Sequence, residues 1–149
     1  MKHSIRKEDD VKFVVNPEEK KVVAYIEGTQ RMFTNFVEEN FPYCLVDFWW
    51  EDPLAKKLKM PNRFVGISTC GPDDVWNENT GRLIAFDRLK DNLNKSFFKR
   101  ANTFVAEMEK RLDIFCDRVN AYGMKLETNM NRRKEIINKI LGEEETTEA

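Results

Sequence analysis

Between positions 89 and 130 apolar residues return every three or four places, and no proline follows Pro72. Leu89, Leu93, Phe97, Ala101, Phe104, Met108, Leu112, Phe115, Val119, Tyr122, Leu126 and Met130 make up this stripe. Such spacing puts side chains on one face of a helix, and a long helix with a continuous apolar face needs a surface to cover it. An unbroken helix over 80–141 would be about 90 Å long at 1.5 Å per residue, more than a compact small domain can cover. The best candidate break is Asn120-Ala121-Tyr122-Gly123, because glycine costs about 1 kcal/mol relative to alanine inside a helix. The expectation is a helix ending there, a second helix through Leu141, Gly142 as a C-terminal stop, and 143–149 as a disordered acidic tail.

Upstream the period changes. Positions 11–15 and 21–26 are β-branched and aromatic runs separated by Asn16-Pro17-Glu18-Glu19-Lys20, which predicts a β-hairpin. Met32, Phe33, Phe36, Val37 and Phe41 follow at helical spacing, predicting a short helix over 30–40 with Thr29 as its N-cap. The aromatic stretch 43–50 and the run 63–70 read as further strands, and Pro53 with Lys56, Lys57 and Lys59 marks a loop or one helical turn. Asn77 or Asn79 can cap a helix that carries Glu78 in its first turn. The fold class is therefore α+β: a small antiparallel sheet of a hairpin plus one or two further strands, a short helix, and a long C-terminal helical segment. Residues 1–76 form the sheet domain, and 77–142 form a long helix or helical hairpin within the same folding unit.

The chain has 149 residues, room for one domain and an appended helical arm. It carries 34% charged residues and a net charge of −1, so no global field favours nucleic acid or an anionic membrane. Cys44, Cys70 and Cys116 are widely spaced, unlike a zinc site or a disulfide framework, and fit a reducing cytoplasm. No signal peptide or membrane-spanning run is expected. His3, the single histidine, lies at the terminus, where it is poorly placed as a general base. No cofactor, metal site or catalytic residue is expected.

Three constellations are candidates for recognition. Trp49 and Trp50, adjacent on a strand, cannot enter the same core face, so one is covered by the long helix or exposed to a partner. Asp47, Glu51 and Asp52 beside them lack a third group that would make a metal or acid-base site. Around Trp76, the order strand, acidic turn, aromatic anchor and helix suits a structural corner, with Asp73 or Asp74 accepting turn amides and Gly81 with Ala85 admitting a close backbone. The same corner could bind a ligand through Trp76, Arg82 and Arg88. Along the helix, Lys90, Lys95, Lys99, Arg100, Lys110 and Arg111 alternate with Asp87, Asp91, Glu107, Glu109 and Asp113, as on a solvated face laced with ion pairs.

The run Cys70-x-Pro72-x-Asp74-x-Trp76-x-x-x-x-Gly81-x-x-x-Ala85-x-x-Arg88 resembles a segment of small proteins encoded by phages and prophages of Gram-positive bacteria. Leu89 stands where that group often has alanine. The resemblance implies a phage-type protein with a small sheet and a long helix. It also invites comparison with Thoeris anti-defence sponges, which sequester a cyclic nucleotide, although none of their binding residues is matched here. The leading expectation is a non-enzymatic interaction protein that binds and inhibits or titrates a host defence protein. It would self-associate through Phe97, Phe104, Met108, Leu112, Phe115 and Val119. One alternative is a nucleotide sponge in which Trp76 stacks a base and Arg82 and Arg88 hold phosphates. Another is a nucleic-acid accessory protein, against which the near-neutral charge counts.

Overall fold

The computed structural model describes residues 10–41 and 53–147. The α+β expectation holds: strands β1 (Lys12–Asn16), β2 (Lys21–Glu27) and β3 (Arg63–Thr69) form an antiparallel meander in the order β1-β2-β3. Helix α1 is Met32–Asn40, α2 is the single turn Pro53–Lys57, and α3 is Glu78–Thr147. The aromatic run at 43–50, expected as a strand, lies outside the described residues.

Local chemistry explains the hairpin. The Asn16 carboxamide oxygen accepts the amides of Glu18 and Glu19, and Lys20 closes the turn in the left-handed region at φ 49°. The β1–β2 register pairs Phe13 with Ala24 and Val15 with Val22, and β2 pairs Ala24 with Gly66 and Val22 with Ser68. Because side chains alternate along a strand, Val22, Ala24 and Ile26 fall on one buried face, joined there by Phe13, Val15 and Phe64. The opposite face leaves Val14 and Ile67 exposed.

The chain divides into two units, Met1–Val105 and Ala106–Ala149, and α3 supplies residues to both. This boundary differs from the expected division at 76/77. In the first unit α3 lies across the buried sheet face, with Ala85 and Leu89 in the core. The approach is close because three small residues meet: Ala24 and Gly66 on the sheet, Ala85 on the helix. A Cβ at Gly66 would stand 2.0 Å from the Ala85 carbonyl oxygen. Farther along, Phe97 and Phe104 pack edge-on against the aromatic rings of the α1 region, Phe33 to Phe97 at 5.3 Å and Phe41 to Phe104 at 5.0 Å between centroids.

Four expectations need correction. α3 is unbroken across 120–123: Val119, Tyr122 and Leu126 keep their phase through Gly123, nothing lies within 4 Å of that glycine to reward a turn, and the penalty of one glycine is only about 1 kcal/mol. Gly142 does not end the helix, and residues 143–147 are helical, since no proline follows and glutamate is a good helix former. Thr29 does not cap α1. Its hydroxyl donates to the Pro61 carbonyl, and the N-cap position is Arg31, which offers no side-chain bond. Finally, Phe97 and Phe104 are taken up by the first unit's own aromatic core.

In the second unit, residues 106–147 of α3 form the only described element, and from Glu109 to Glu145 every residue is exposed.

Candidate functional site

Trp76 follows the turn that ends β3. Asp74 shapes that turn, its carboxylate accepting the Gly71 amide at 3.2 Å and its own amide donating to the Gly71 carbonyl. Asn77, and not Asn79, then caps α3: its side-chain oxygen accepts the Thr80 amide at 3.0 Å. Trp76 is partly buried against the core of Val22, Ala24 and Ala85. An open cleft of about 330 Å³ runs beside it, lined by Ser68, Cys70, Asp74, Asn77, Thr80 and Ile84 among others.

The two arginines singled out with Trp76 are already engaged within the fold. Arg82 pairs with Glu78 at 2.8 Å one turn earlier and places its guanidinium 5.2 Å from the centre of the Phe13 ring. Arg88 reaches across to β3 and donates to the Ile67 carbonyl, and Asn92 donates to the Val65 carbonyl at 2.8 Å. β3 is an edge strand, so these carbonyls point away from β2. Side chains of α3 cap them, which protects an edge that would otherwise offer itself to another strand. Arg100 ties α3 to the segment before β3, donating to the Lys59 carbonyl at 2.9 Å. The structure thus turns Arg82 toward Phe13 of β1 and sends Arg88 to the sheet edge, and neither arginine lines the cleft beside Trp76. Trp49 and Trp50 lie outside the described residues.

The residues expected to mediate self-association separate into two groups. Phe104 is 7% exposed and Phe97 half-buried, both in the aromatic cluster of the first unit. Met108 is half-buried, whereas Leu112, Phe115 and Val119 are 60%, 63% and 51% exposed. Tyr122, Leu126, Ile136 and Ile140 continue the exposed group.

On the continuous helix these positions fall into a seven-residue register that the three-to-four spacing alone left unread. Leu112, Val119, Leu126, Arg133 and Ile140 occupy its first position, a, while Phe115, Tyr122, Asn129 and Ile136 occupy its fourth, d. Apolar a/d recurrence, here interrupted by Asn129 and Arg133, is the seam of a coiled coil, in which helices bury one narrow stripe against each other. Arg111, Arg118, Lys125, Arg132 and Lys139, likewise seven apart, form a basic column along one flank. Both signals were present in the sequence, but an assumed break at 123 hides a register that spans it. Ion pairs such as Glu107–Arg111 at 3.3 Å and Asp87–Lys90 at 3.8 Å decorate the helix, each worth only about 0.3–0.5 kcal/mol.

Among the described residues no three His, Cys, Asp or Glu side chains come together as a metal group, and no helix is long and apolar enough to cross a membrane. No protein-family model matches the chain, and no match was found among curated proteins or solved structures.

Proposed function

We propose that this protein acts by binding other protein chains: it assembles with itself through α3 and uses its remaining surfaces to hold and inhibit or titrate a host factor in a reducing cytoplasm. One observation carries the reading. Residues 109–145 present Leu112, Phe115, Val119, Tyr122, Leu126, Ile136 and Ile140 to solvent in a coiled-coil register, and among the described residues of the same unit no second helix covers them. Burying side chains of this size is worth about 1.5–3 kcal/mol each, a drive that a second helix would satisfy. The host-factor half of the proposal draws on the resemblance of the Cys70 to Arg88 segment to phage-encoded proteins. A nucleotide sponge is less well supported, because Arg82 and Arg88 already bond to Glu78 and to the Ile67 carbonyl.

Light scattering on the purified chain tests the self-association. The wild type is expected above the 17.6 kDa of one chain, and Leu112→Glu with Val119→Glu is expected to return it to that mass while the first unit stays folded, since neither residue belongs to its core. A wild type that stays at 17.6 kDa at all concentrations would sink the reading.

A further inference from the structure

The charges beside the seam have a direction. The basic column of Arg111, Arg118, Lys125, Arg132 and Lys139 occupies the g flank of the heptad, and every member is exposed. The e flank holds Cys116, Gly123, Met130 and Ile137, without charge, and then Glu144. Flanking residues choose partner and orientation in a coiled coil: antiparallel helices set g against g, whereas parallel helices set g against the e position of the next heptad.

We propose that the occupant of the seam is a second copy of this chain, lying parallel and in register; this rests on the self-association reading above. An antiparallel copy would bring two columns of five cations together along the whole contact. In the parallel arrangement the g column faces the largely uncharged e flank, and the meeting of like charges is confined to the level of Arg132 and Arg133. Arg118, Lys125 and Arg132 lay their aliphatic stems over the partner's Gly123, Met130 and Ile137 while their charged ends stay in water, and Lys139 meets the partner's Glu144. The polar seam positions set the register. Asn129 at d meets the partner's Asn129, and Arg133 at a lies beside its counterpart, where its long stem lets the two guanidinium groups diverge into solvent. A slip of one heptad would place each Asn129 amide against Tyr122 or Ile136, unpaired in an apolar layer.

Distance measurement between spin labels tests orientation directly. In the full-length chain with Cys44, Cys70 and Cys116 changed to serine, a nitroxide is attached at Lys110→Cys or at Asn138→Cys, both on the outer face of the helix. A parallel pair gives a similar short distance at each site, and a mixture of the two labelled chains gives about 42 Å between unlike sites, 28 residues at 1.5 Å each. Short distances only in the mixture would overturn the parallel assignment and leave self-association standing. Absence of dipolar coupling together with a mass of 17.6 kDa would overturn both. A second measurement keeps the native cysteines: wild type is mixed with Arg118→Glu/Arg132→Glu chains. Parallel pairing predicts a statistical mixture by native mass spectrometry, and a strong preference for mixed dimers overturns it.

Discussion

A methyl group at position 66 would lie 2.0 Å from the carbonyl oxygen of Ala85 and 2.3 Å from the amide nitrogen of Leu89. Both are helix backbone atoms that cannot swing aside as a flexible side chain would. Gly66→Ala is therefore expected to push α3 off the sheet and cost at least about 3 kcal/mol, the upper range for overpacked cores. Urea denaturation followed by tryptophan fluorescence checks this, and a midpoint within error of wild type would show that the helix does not rest there. That Gly81 and Ala85 leave room for another backbone is legible in the sequence. The role of Gly66 is not, because a glycine in a strand carries no mark of what faces it until the helix is in place.

At the level of elements, the edge of β3 depends on two side chains of α3. Removing both with Arg88→Ala and Asn92→Ala strips the caps from the Ile67 and Val65 carbonyls. The expected loss is about 2 kcal/mol, together with faster amide exchange along β3. Had Arg88 served a ligand alone, its loss would leave stability untouched, so the urea midpoint separates the two roles. The starts of β1, β2, β3 and α3 were legible from the chain within a residue or two, because alternation, turn chemistry and the Asn77 cap are local. The continuity of α3 was not, since a glycine is a weak breaker that acts only when tertiary contacts favour a turn.

For the whole molecule, the exposed seam implies that concentration matters. If α3 is covered by a second copy, its thermal unfolding by far-ultraviolet circular dichroism should shift upward by several degrees as the chain is concentrated a hundredfold, by mass action. A helix signal that melts at one temperature across that range would count against assembly. Net charge, which is −1, says little here, because the basic column along one flank of α3 is balanced elsewhere in the chain. Arrangement along the helix, and not the total, carries the information about a partner.

Periodicity by itself determined that this chain is α+β, that its strands are short and alternate, and that its C-terminal half is a helix with an apolar stripe. Those properties follow from which neighbours share a face. Only the tertiary structure decided what the stripe meets: Leu89, Leu93 and Phe104 are buried in the first unit, and Leu112, Phe115 and Val119 are left to solvent. It likewise assigned Arg88 to a strand edge. Spacing along a helix states which side chains point together, but what they touch is set by residues distant in sequence that the fold brings close.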